Sequence, residues 1–157
     1  MEELLGILMK EHKLYQKILK LLRKEQEILV SGETGELPSV LEELEKLTSE
    51  IQSLEERRRK IIMSLSISYN VPASDMSLTR LCELAEEPLS KKLSDLKAKM
   101  ANTMEMVRNL NACIFYLSEK ALEYSTKFLE IICASGSTYH PDGNLQMDKE
   151  ALISRRV

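Results

Sequence analysis

The sequence predicts an all-α protein: an elongated antiparallel helical bundle with coiled-coil character and a flexible C-terminal tail. Three observations carry this reading. Leu89, Leu93, Leu96, Met100, Thr103, Val107, Leu110, Ile114, Leu117, Ala121, Tyr124, Phe128 and Ile131 follow alternating four- and three-residue steps, the seam spacing of a helix packed lengthwise against others. About 43 residues at roughly 1.5 Å each make a rod of about 65 Å. Two further stripes of helical period precede that seam. Finally, 43% of the residues are hydrophobic and 30% charged, without a single Trp and with only two Phe. Aliphatic side chains and eight Met must then fill the core, while the charges solvate long outer faces.

The first helix is expected over residues 2–30. Ile7, Leu14, Leu21 and Ile28 repeat every seven residues, with Leu8, Tyr15, Leu22 and Leu29 repeating beside them. Two adjacent columns make a stripe wide enough to face two neighbours. Gly32 and Gly35 then break the helix. The second helix, 38–69, opens at Pro38, a favoured first-turn residue. Its seam is Leu37, Val40, Leu44, Leu47, Ile51, Leu54, Arg58, Ile61 and Leu65. Arg58 is the polar member: either its long side chain snorkels out at a bundle end, or it is buried and fixes register.

Asn70, Pro72 and a cap at Asp75 or Ser77 mark a break across 66–77. A short helix over 78–86 carries Leu78, Leu81 and Leu84, and Pro88 starts the long helix, 88–135. The bundle is then 1–136, closed by Gly136, with its core running through Leu14, Leu21, Leu44, Ile51, Leu96, Val107, Leu110, Ile114 and Leu117. Residues 137–157 form the tail. Pro141, Gly143 and Asn144 give it a turn, and a short hairpin near Gly143 is the one place for paired strands. Its apolar residues are too few and too spaced to build a core.

Net charge is −3, which speaks against nucleic acid or anionic lipid as a partner. Cys82, Cys113 and Cys133 are scattered, as reduced core thiols in a cytoplasmic protein would be. No run of 18 apolar residues and no signal-peptide start occurs, so neither membrane insertion nor secretion is expected. His12 and His140 have no Glu three residues before them, so the ligand pairs of di-iron bundles are missing. Both read as solvated. No phosphate loop or calcium-loop spacing is present, and no cofactor is expected. Arg57-Arg58-Arg59-Lys60 follows Glu55-Glu56 and points in several directions, as a solvated face does. Met100, Met104 and Met106 read as core filler, or as the flexible lining of a partner groove. Nothing here indicates an enzyme.

Leu110-Asn111 followed by Leu117-Ser118-Glu119-Lys120-Ala121-Leu122-Glu123-Tyr124 resembles the signature segment of FlgN-type flagellar export chaperones. Thr138-Tyr139-His140-Pro141-Asp142-Gly143 resembles the family's Thr-Tyr-x-x-x-Gly turn, and Arg155-Arg156 stands where the family often ends in an Arg pair. The chain departs at Ile114, where a second Asn is common, and in a longer loop through Gly35. The resemblance implies a cytoplasmic type III flagellar export chaperone. Such a protein holds the hook-filament junction proteins FlgK and FlgL and delivers them to the export gate and ATPase. The alternative is a structural coiled-coil adaptor without a client. A homodimer stays open, because a seam is satisfied within one chain or between two. The client surface is expected where apolar residues persist with little left to cover. Tyr124, Phe128 and Ile132 would form one side, and Tyr139, Leu145, Met147, Leu152 and Ile153 of the tail the other. The competing reading is that the tail caps the bundle end.

Overall fold

The computed structural model describes residues 1–134. Gly136, the turn near Gly143, His140 and the tail therefore lie outside the described residues. Helix α1 spans Glu2–Ser31 and stops at Gly32, whose φ of 75° lies in the left-handed region and whose N–H donates to the Ile28 carbonyl. Glycine adopts that conformation without strain. A single 3-10 turn, Thr34–Glu36, leads into α2, Leu37–Tyr69, with Pro38 in its first turn. Asn70 ends α2 at φ 51° and ψ 42°, one of the few side chains that tolerate this backbone.

A second 3-10 turn, Ala73–Asp75, precedes α3, Leu78–Leu84. Ser77 caps α3: its hydroxyl oxygen accepts the Arg80 N–H at 3.2 Å. The helix ends two residues before the expected 86, because Ala85 is already extended at φ −82° and ψ 143°. Helix α4, Leu89–Ala134, begins one residue after Pro88, which follows a cis peptide bond. The Glu86 carbonyl accepts the N–H groups of both Leu89 and Ser90, so the turn itself supplies the first backbone acceptor of α4.

The chain divides into two compact units, Met1–Leu117 and Ser118–Val157. The first is a bundle of three long helices. Contacts between the start of α1 and the end of α2, and between the end of α1 and the start of α2, make this pair antiparallel: Glu11 meets Arg58, and Lys24 meets Glu36. Helix α4 runs parallel to α1, since His12 meets Thr103 and Gln26 meets Cys113. The larger core cluster joins Leu4 and Leu8 of α1, Met76, Leu81 of α3, and Leu93, Leu96 and Met100 of α4. Ile61, Ile62 and Leu65 of α2 pack against it. A seven-residue helix has little stability alone; α3 holds because Leu81, only 1% exposed, is driven into this cluster. Ser90 Oγ donates to the Cys82 carbonyl and Lys97 Nζ to Thr79 Oγ1, tying α3 to α4. A second cluster, Leu14, Leu47 and Ile51, seals α1 to α2 farther along.

Of the expected core, Leu14, Ile51, Leu96 and Ile114 are buried. Leu21, Leu44, Val107, Leu110 and Leu117 are only half-buried. Three helices are too few to cover every seam residue on both sides. The densest core lies instead around α3, which adds a fourth wall.

The polar contacts decide between the two readings of Arg58 and correct the expectation for His12. Arg58 does not snorkel out: its Nε donates to Glu11 Oε1 at 2.9 Å, and Glu11 is 2% exposed. Glu55 lies beside the pair, 3.8 Å from Arg58. Burial pushes the Glu11 carboxyl above its ordinary range, while Arg58 pulls it down. Burial likewise raises the neighbouring Tyr15 hydroxyl. His12 is not solvated but half-buried, with Nε2 3.2 Å from Thr103 Oγ1. Thr103 Oγ1 also lies 3.0 Å from the Lys99 carbonyl, the acceptor within its own helix. Among the described residues, no buried side-chain polar atom lacks a partner.

Two sets of measurements check this account. Leu81→Ala or Leu93→Ala should cost about 2–5 kcal/mol in denaturant melts, and Leu110→Ala under about 2 kcal/mol, because that site is half open. Arg58→Ala should cost about 2–3 kcal/mol at neutral pH, since it strands a buried carboxylate on the less exposed side of the pair. A carboxyl whose native pKa is raised loses stability as pH rises through that value. The Arg58→Ala penalty should therefore shrink as pH falls through the raised Glu11 range above 4.5. Replacing both partners by Leu and Met should recover most of the loss.

Candidate functional site

The second unit begins within α4 at Ser118. Glu119, Lys120, Ala121, Leu122 and Glu123 are strong helix formers and carry α4 onward without a break. Lys120 and Lys127 each place Nζ 2.6 Å from a different oxygen of Glu123. The Lys120 hydrogen bond first, then that of Lys127, hold the Glu123 carboxyl down at about 2. Thr126 returns its hydroxyl to the Leu122 carbonyl at 2.9 Å. The polar groups of this stretch are thus largely satisfied by the helix itself.

Its apolar side chains face outward. Tyr124 is 69% exposed, Phe128 64% and Ile132 50%. These three are the described members of the expected client surface; Tyr139, Leu145, Met147, Leu152 and Ile153 lie outside the described residues. Leu122, Leu129 and Ile131 are exposed as well and were missing from that expectation. The signal for them was present in part: Ile131 closes the four-three seam, whereas Leu122 and Leu129 form a seven-residue column away from it. Ala121, Tyr124, Phe128 and Ile131 share one face, with Ile132 at its edge. Such a surface has no nucleophile–base pair and no phosphate cradle. It offers apolar area to another apolar surface.

Two grooves lie elsewhere among the described residues. One groove between α1 and α2 is lined by Lys10, Lys13, Leu14, Lys17, Glu50 and Leu54, among others. Another, between α1 and α4, includes Arg23, Gln26, Asn109 and Cys113, where Gln26 Nε2 donates to Cys113 Sγ at 3.1 Å. No cluster of three or more metal-ligating side chains occurs among the described residues. Nor is any described helix long and apolar enough to cross a membrane. The thiols are not all core: Cys82 and Cys113 are half-buried, but Cys133 is exposed. The three methionines of α4 grade from buried Met100 through half-buried Met104 to exposed Met106. Arg57, Arg59 and Lys60 are exposed while Arg58 turns inward, so the basic cluster is not one patch.

Over residues 1–147 the sequence matches the family described as FlgN protein. The chain belongs to the FlgN family. No curated protein and no solved structure matches it. FlgN proteins are flagellar export chaperones, a family that binds export clients. The match takes in all four helices and the exposed stretch of α4. Where FlgN sequences often carry a second Asn, Ile114 is buried in the bundle, whereas Asn111 is exposed. The departure thus exchanges a polar group for core packing.

The Glu123 arrangement is checked by titrating its carboxyl carbon in NMR spectra. The midpoint should lie near 2 and move up towards the ordinary carboxylate range in Lys120→Ala or Lys127→Ala. A depressed native pKa means that the contribution of these pairs is present at neutral pH and lost only as pH falls towards that midpoint.

Proposed function

We propose that this FlgN-family chain binds hook-filament junction proteins of the FlgK and FlgL type in the cytoplasm. It delivers them to the export gate and ATPase for secretion. The observation that carries the reading is the run of exposed Tyr, Phe, Leu and Ile side chains on α4 between Leu122 and Ile132, in a family of export chaperones. An unassembled client exposes the apolar stripe it will later bury in the flagellum. A chaperone face of matching length covers that stripe reversibly. Tyr124, Phe128 and Ile132 supply one side of the client surface, and Tyr139, Leu145, Met147, Leu152 and Ile153 of the tail the other. The bundle at 1–136 serves as the scaffold, and 137–157 as the clamp.

A pull-down of the C-terminal segments of the junction proteins from the same genome tests the function. Capture by the full chain supports it, and failure to capture either segment argues for a clientless adaptor. Tyr124→Ala with Phe128→Ala should weaken capture at least tenfold, roughly the loss of two interface anchors, while changing the bundle's stability by less than about 1 kcal/mol. Removing 137–157 should abolish capture with helicity retained. A truncation that melts early identifies the tail as a structural cap instead, and undiminished capture by a stable truncation leaves α4 alone as the client surface.

A further inference from the structure

We infer that the 118–134 stretch of α4 takes an amphipathic helix of another protein whose apolar seam is edged by carboxylates, and that these carboxylates pair with Lys120 and Lys127. The inference rests on the reading of this stretch as the client surface and adds the charge pattern of what binds there.

Ala121, Tyr124, Phe128 and Ile131 keep the four-three spacing of a helix–helix seam, and Tyr124, Phe128 and Ile131 are at least 64% exposed. That spacing suits another helix, whose side chains enter the gaps between them. The two edges of the seam differ. Lys120 and Lys127, seven residues apart, directly precede the seam residues Ala121 and Phe128. Ser118, Ser125 and Ile132 occupy the other edge and carry no charge. Glu119, Glu123 and Glu130 fall on the side away from the seam. Glu123 engages both lysines, but all three side chains are 40–60% exposed, so the ammonium groups are within reach of a second carboxylate.

A second copy of this chain fits the pattern poorly. Two such stretches laid antiparallel would set lysine edge against lysine edge. Laid parallel, they would set each lysine against Ser or Ile of the other copy. Neither arrangement makes an ion pair across the seam. A partner with Glu or Asp along its edge makes one at each lysine. The net charge of −3 repels acidic partners at long range, so a preference for acidic edges would have to arise locally, at contact distance.

The test uses the full chain and two designed helical peptides with the same Leu seam, one carrying Glu along both edges and the other Lys. Fluorescence anisotropy at low salt should show the Glu peptide binding roughly tenfold tighter, with the gap narrowing as salt rises. Lys120→Glu with Lys127→Glu should reverse the order. Lys120→Gln with Lys127→Gln should abolish it, with helicity by circular dichroism retained. Equal binding of the two peptides, preference for the Lys peptide, or binding of neither overturns the inference. Capture of the junction proteins without a charge preference overturns this inference alone. A clear Glu preference without junction-protein capture overturns only the choice of client.

Discussion

The bundle depends on a register constraint set by two neighbouring residues of α1. Apolar seams specify that helices pack, but a seam repeating every seven residues fits nearly as well after sliding by one heptad. Glu11 and His12 remove that freedom. They point in directions about 100° apart around α1, and each meets a different helix: Glu11 takes Arg58 of α2, and His12 takes Thr103 of α4. A slip by one repeat would leave a carboxylate buried without its cation, a penalty larger than the gain from most single contacts. The pair contributes little net stability against an apolar replacement, yet it fixes which arrangement of the leucines is the native one.

Much of the architecture is legible in the sequence because seams are periodic. Every member of the α2 stripe from Leu37 to Leu65 is buried or half-buried, as are both seven-residue columns of α1. What escaped notice was polar and aperiodic. Glu11 stands four residues after Ile7 and three before Leu14, squarely on the apolar stripe. Arg58 is the corresponding interruption on α2. Two polar gaps on facing stripes are a pairing signal that neither gives alone. His12 was missed for a related reason: its partner Thr103 is a seam residue whose hydroxyl matters only once the helices are set side by side.

The exposed face of α4 was legible in part for the opposite reason. From Leu93 to Ile114 the α4 seam is mostly covered; from Ala121 the same spacing continues with its residues exposed. Periodicity alone cannot separate a seam filled by its own chain from one left for another protein. The distinction lies in how many neighbours are present, which is a tertiary quantity. Tyr124, Phe128 and Ile132 are all outward-facing. Leu122 and Leu129 are exposed too, but they lie off the seam, so its spacing does not single them out.

The unequal sequence range of the two core clusters also bears on the order of assembly. The Leu14, Leu47 and Ile51 cluster closes between helices joined by one short connection. The cluster around Leu81 and Leu93 draws in Leu4 and Leu8 from the far end of the chain. Local contacts incur a smaller loop-closure cost than distant ones. During synthesis, which proceeds from the N-terminus, α1 and α2 can close as a hairpin while Leu4 and Leu8 still wait for α3 and α4. A chain whose family attends to export clients thus passes through a stage in which its own first turns still await part of their cover.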